Sequence, residues 1–252
     1  MSPPNHGAPL RALPICVMLS LFSALHAQER CNVEVKLLLS PKDTRAAVSA
    51  LNLKNERAGR VYFFDTSALD LLSQGVIVRI QQGAANDLTV KLRPREGKTF
   101  ADPSHGREYF KCEVDQAASE TKSSYSIRTE YASVPLPQTG NDILNLLSAG
   151  QRKLLEEAQV SIDWQRVKRI ADIKTTDWQT EAQPPFKKLT MELWEFPAGK
   201  ILELSTKVGP DAGPATYTEL KRLANTKGLS VNPDQRFKTT MVLEALTHAA
   251  AH

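Results

Sequence analysis

Asn32, Glu34 and Lys36 share one side of the stretch NVEVKLLL, and Val33, Val35 and Leu37 share the other. Side chains alternate across an extended chain with a period of two, so this stretch reads as a β-strand with one charged and one apolar face. The pattern returns along the chain. In VIVRIQ, Arg79 and Gln81 oppose Val76, Val78 and Ile80; in DLTVKLR, Asp87, Thr89, Lys91 and Arg93 oppose Leu88, Val90 and Leu92. In FKCEVD, Lys111, Glu113 and Asp115 oppose Phe110, Cys112 and Val114. VKRIADIK sets Lys168, Asp172 and Lys174 against Val167, Ala171 and Ile173, and KLTMELW sets Lys188, Thr190 and Glu192 against Leu189, Met191 and Leu193. LELSTKV sets Glu203, Ser205 and Lys207 against Leu202, Leu204, Thr206 and Val208. Two architectures bury one face of such strands. One is an open antiparallel sheet with helices on one side and water on the other. The other is a closed barrel whose apolar outside is covered by helices and whose charges line a wet interior. Periodicity leaves both open.

Both signs of charge occur on nearly every charged face, and that mixture has a chemical use. Lys and Arg hold a polyphosphate, while carboxylates hold Mg²⁺ or Mn²⁺, which neutralises phosphate oxygens in turn. Between the strands lie helical segments. Ser40 and Pro41 open one as N-cap and first turn; residues 140–159 form a second, with Asn141 or Asp142 as its cap. Two more follow near the C-terminus, giving an α+β chain with no internal repeat and no linker composition.

The chain has 252 residues, 41% of them hydrophobic and 24% charged, with a formal charge of +4. That is the composition of a globular protein with a real core, and its mild basicity argues against a nucleic-acid partner. Arg11 precedes the uncharged run ALPICVMLSLFSALHA, too short for a comfortable membrane span. A cation, an apolar run and a small residue at Ala27 describe a secretory signal peptide over 1–27. Residues 28–252 are then one exported domain, periplasmic or secreted, with no membrane span. Removal of the signal takes Cys16 with it and leaves Cys31 and Cys112. An even pair in an oxidising compartment invites a disulfide. Cys31 shares parity with Val33 and Cys112 with Val114, so both thiols point to the apolar side of their strands. The histidines that remain after residue 27, His105, His248 and His252, are scattered and offer no zinc spacing. Trp164, Trp178 and Trp194 read as packing or rim residues.

The order NVEVK, VYFFDTSALDLLSQGVIVRI, LTVKLRP, KCEVD, LELSTK and a late RFKTT resembles the CYTH superfamily, the triphosphate tunnel metalloenzymes, over nearly the whole chain from Asn32 to about Leu246. The resemblance implies an eight-stranded antiparallel closed barrel with helices outside, and metal-dependent chemistry on triphosphate groups with Mg²⁺ or Mn²⁺. The ligand it implies is a triphosphate- or polyphosphate-bearing small molecule. Carried over residue by residue, it assigns Lys36, Arg79, Lys91 and Arg93 to phosphate. Lys168 and Lys207, on charged strand faces of the same kind, complete the phosphate-binding set. Glu34, Glu113, Asp115 and Glu203 fall to the metal, and Lys238 resembles a basic residue near the family's C-terminus. The family's Glu-x-Glu-x-Lys opens here with Asn32, its Arg-x-Arg ends in Gln81, and its late Glu-x-Glu ends in Ser205. Two carboxylates are therefore lost from the metal half while most cations are kept. A metal-dependent triphosphatase and a non-catalytic binding or envelope interaction module with a decayed metal site both follow from that pattern.

Overall fold

The computed structural model describes residues 31–94, 98–102, 108–181 and 183–249. The expected signal peptide lies outside them, as do His105 and His252. Among these residues nine strands form: β1 (Asn32–Leu39), β2 (Lys54–Asp65), β3 (Val76–Gln82), β4 (Asp87–Leu92), β5 (Tyr109–Ala117), β6 (Glu120–Glu130), β7 (Lys168–Gln179), β8 (Thr190–Phe196) and β9 (Gly199–Val208). They close into a barrel in the order β1-β5-β6-β4-β3-β2-β7-β8-β9. The barrel architecture expected from the resemblance is present, with nine strands in place of eight. An odd ring cannot alternate in direction all the way round, so one neighbouring pair must be parallel. That pair is β1 and β5, in the register Asn32 with Glu113 and Glu34 with Asp115; all other neighbours are antiparallel.

Six helices are described: α1 (Thr44–Ala50), α2 (Asp70–Ser73), α3 (Gly140–Leu146), α4 (Ala149–Glu157), α5 (Gly213–Thr226) and α6 (Lys238–Ala249); α3, α4 and α5 cover the outside, and α6 packs against the interior. Val33, Val35 and Leu37 of β1 pack outward against Leu220 and Ala224 of α5. Val76, Val78, Ile80, Leu88 and Val90 pack outward against Ile143, Leu154 and Leu155 of α3 and α4. The expected cap at Asn141 or Asp142 is displaced: Thr139 is the N-cap of α3, with Asp142 completing a capping box, and Ser148 caps α4 in the same way. A second Ser-x-x-Gln box inside one apolar pattern is what divides it into two helices. Ser40 stands as N-cap of a 3₁₀ turn, Pro41–Asp43, ahead of α1. Among the described residues no helix is long and apolar enough to cross a membrane.

The interior is not charged throughout. Leu38, Val61, Phe63, Ile77, Ala171, Ile173, Trp194 and Ile201 form an apolar plug, into which Val242 and Leu243 of α6 pack. This corrects the reading of β7. Ala171 and Ile173 face inward, whereas Lys168, Asp172 and Lys174 are exposed, and Asp172 accepts from Arg60 at 2.7 Å on the outer surface. The cause lies in β2, which pairs with β7 and is buried on both faces from Val61 to Asp65. Its inward side chains are apolar, and the matching wall of β7 is apolar with them.

Cys31 and Cys112 are bonded, with Cα atoms 5.0 Å apart, across the parallel seam.

Candidate functional site

The charged part of the interior centres on Asp115, which has no exposed surface. Lys36 Nζ donates to its Oδ1 and Lys91 Nζ to its Oδ2, each at 2.7 Å, and the Arg93 guanidinium lies 3.6 Å from Oδ2. Strands β1, β4 and β5 supply Lys36, Lys91 and Asp115 from their inward positions, and Arg93 follows directly after β4 with the same parity as Lys91. Gly75 fixes the position of Arg93. Its carbonyl accepts from Arg93 N at 2.7 Å, its φ is +78°, and a Cβ there would meet the Arg93 carbonyl at 2.2 Å. Only glycine tolerates that conformation and that approach.

The electrostatics follow from burial and opposite charge working against each other. Burial pushes the Asp115 carboxyl up, but Lys36 and Lys91 outweigh it and hold the group well below the usual carboxylate range. Burial likewise raises Glu34, yet the Lys36 ammonium 3.2 Å away brings its pKa to about 2. The Lys36 ammonium is depressed by burial and raised further by Glu34 and Asp115, ending well above its ordinary value. Lys91 falls to about 8: burial dominates, Asp115 opposes it, and Lys36 and Arg93 repel the proton.

Two further clusters flank this centre. Glu113 is buried between Lys111, with which it is ion-paired, and Lys207, whose Nζ is 2.9 Å away. Glu192 and Glu203, direct partners on β8 and β9, share the ammonium of Lys238. Arg79 is half-buried beside the apolar plug, and among the described residues no carboxylate lies within ion-pairing distance of it.

One carboxylate oxygen each from Glu34, Glu113 and Asp115 lies within 4.8 Å of the others. A charged, all-oxygen set of this kind suits a hard divalent cation such as Mg²⁺ or Mn²⁺. Of the residues assigned from sequence, the structure gathers Glu34, Lys36, Lys91, Arg93, Glu113, Asp115 and Lys207 around one another. Glu203 is ion-paired with Lys238, and its charge also helps to raise Lys36. Lys168 sits at the exposed start of β7 and joins none of these ion pairs among the described residues. Ser205 is buried opposite Lys36, and Asn32 is exposed opposite Glu113. Lys111 and Glu192 belong to the interior but were not assigned; their strand parity was the available signal. Beside Arg93 opens a cavity of about 870 Å³ whose lining includes Leu69, Ile77, Lys98, Lys122 and Thr240.

No family model matches the chain and no curated protein does. Solved structures are similar. A Hippeastrum protein described as a candidate adenylyl cyclase with a dominant triphosphatase activity aligns at TM-score 0.59 and 18% identity, covering 84% of this chain and 94% of its own. A candidate adenylate cyclase from Bacillus halodurans aligns at TM-score 0.55 and 14% identity, covering 84% of this chain and 97% of its own. At these identities the likeness establishes architecture: the chain has the closed-barrel fold of these two proteins, the fold that its resemblance to the CYTH superfamily implied.

Proposed function

We propose that the charged half of the barrel binds a triphosphate- or polyphosphate-bearing small molecule and, with a divalent ion, hydrolyses it. The observation that carries this reading is the set of inward cations: Lys36, Lys91 and Arg93 gathered on the buried Asp115, with Arg79 on β3, beside β4, as a further inward cation. A phosphate chain carries several anionic oxygens in a row, and cations projecting from several strands can engage them together. Asp115 keeps the three cations ordered before the ligand arrives, so little side-chain entropy is lost on binding. The closed wall limits water around the bound chain and strengthens every charge–charge contact within it. Glu34, Glu113 and Asp115 are the residues that would hold Mg²⁺ or Mn²⁺. A bound divalent ion supplies charge neutralisation at phosphate oxygens and a more acidic water.

Fold likeness to a protein with triphosphatase activity supports the same reading. One observation favours binding without catalysis: Asn32 and Ser205 put uncharged side chains where the resembling motifs carry carboxylates. We further read the chain as exported after removal of residues 1–27, which the Cys31–Cys112 bond supports, because disulfides persist in oxidising compartments.

Calorimetric titration with tripolyphosphate, paired with phosphate release from tripolyphosphate, nucleoside triphosphates and longer chains under Mg²⁺ or Mn²⁺, tests the proposal. Tight tripolyphosphate binding with release of phosphate is expected. Tight binding without release leaves the binding module. Affinity no better than for sulfate overturns both.

A further inference from the structure

Glu192 of β8 and Glu203 of β9 stand directly opposite each other, and both point into the barrel. Like charges placed across neighbouring strands repel, and burial strengthens the repulsion. A positive charge between them removes the conflict. Lys238, the first residue of α6, supplies it. Its Nζ is 2.7 Å from Glu203 Oε1, is ion-paired with Glu192 Oε2, and lies 4.7 Å from the centroid of the Trp194 ring. Only 12% of the side chain is exposed. Two carboxylate oxygens and an aromatic face therefore enclose one ammonium.

The helix that brings this charge is held by other contacts as well. Val242 and Leu243 pack into the apolar plug, and Phe237 is buried under the Arg93 guanidinium at 5.0 Å. Just upstream, the Gln235 side chain accepts from Leu38 N and donates to Leu38 O, both at 2.9 Å. The placement of Lys238 is thus fixed by its surroundings and does not depend on the carboxylates alone. The ammonium is the one cation in direct contact with both carboxylates; the charges of Arg79 and Lys36 act on Glu192 and Glu203 from farther off.

We propose that Lys238 is a tethered counter-cation that occupies the place of a divalent ion between Glu192 and Glu203. The barrel then takes one divalent ion, at Glu34, Glu113 and Asp115, and no second one at the β8–β9 pair. The count of one rests on the metal reading given above; the exclusion at Glu192 and Glu203 does not.

Manganese titration of the metal-free chain by calorimetry, with Mn²⁺ electron paramagnetic resonance to count bound ions, separates the two. Wild type is expected to bind one ion. Lys238→Met is expected to bind one more than wild type, Lys238→Arg the same number as wild type, and Lys238→Met combined with Glu203→Gln is expected to lose the added ion. If wild type binds none, the metal reading at Glu34 falls, while a rise from none to one in Lys238→Met still upholds the tethered cation. Equal stoichiometry in wild type and Lys238→Met overturns the inference, as do two ions in wild type. If Lys238→Met is unfolded without metal, Mn²⁺ is expected to refold it, and failure to refold overturns the inference as well.

Discussion

Asp115 is intelligible only with its cations. A lone buried carboxylate would cost several kcal/mol or more, or take up a proton, and three cations remove that cost. A triphosphate would draw on those same cations. Lys91→Ala and Arg93→Ala are each expected to weaken tripolyphosphate binding about 10- to 100-fold, as loss of a charge-assisted hydrogen bond worth about 1.5–3 kcal/mol predicts. Circular dichroism should remain that of the wild type. Wild-type affinity in both variants would mean that these side chains line a solvated wall and nothing more. Glu34 gives a pH prediction for the metal-free protein. Its folded pKa of about 2 lies below its ordinary 4.5, so between those values the folded state binds fewer protons than the unfolded one. Its stabilisation is present above about pH 4.5 and is lost as pH falls toward 2. Urea midpoints measured from pH 5 to pH 3 should fall more steeply for wild type than for Glu34→Gln; equal slopes would refute the ion pair with Lys36. Strand parity was enough to place Glu34, Lys36, Lys91, Glu113 and Asp115 on one surface. It could not show which of them meet, because adjacency depends on strand order. Glu203 shares that parity, and strand order sets it opposite Glu192 and beside Lys238.

At the scale of the elements, what could be read from sequence depended on whether a face had one possible destination. In β1 and β5 the apolar side could only go outward under a helix, and Cys31 and Cys112 followed that side into register. In β7 the apolar side had two destinations, the outer helices or the inner plug, and alternation is identical for both. Only β2, apolar on both faces beside it, decides the matter. Helix ends were legible where side-chain chemistry is local, although Thr139 and Ser148 outrank the Asn141 and Asp142 first considered. The disulfide gives a direct prediction. In the unfolded, unreduced full chain only Cys16 should react with a thiol reagent, and none should react after loss of residues 1–27. Two or more reactive thiols would exclude the bond. With a sequence separation of 81, Cys31→Ser is expected to lower stability by about 4 kcal/mol in the chain-entropy picture, read as a lower urea midpoint.

The whole molecule is a barrel that is a hydrophobic core at one end and an ionic site beyond it. Trp194 is fully buried within the apolar part, against Phe63 with ring centroids 5.7 Å apart. Trp194→Ala is expected to cost about 3–5 kcal/mol, as large-to-small changes in packed cores do. An unchanged urea midpoint would show that this end is not a packed core. The ring also sets a timetable. Of the described strands β1 is made first, yet its neighbours are β5 and β9, and Glu34 must wait for Lys207 before its antiparallel edge is satisfied. Contacts this far apart in sequence close slowly. Until they close, both edges of β1 offer unpaired amides and carbonyls to any other chain. The interval between the emergence of β1 and the arrival of β9 is therefore when a nascent molecule is most prone to aggregate, and refolding yield should fall with protein concentration more steeply than the stability of the finished barrel would suggest.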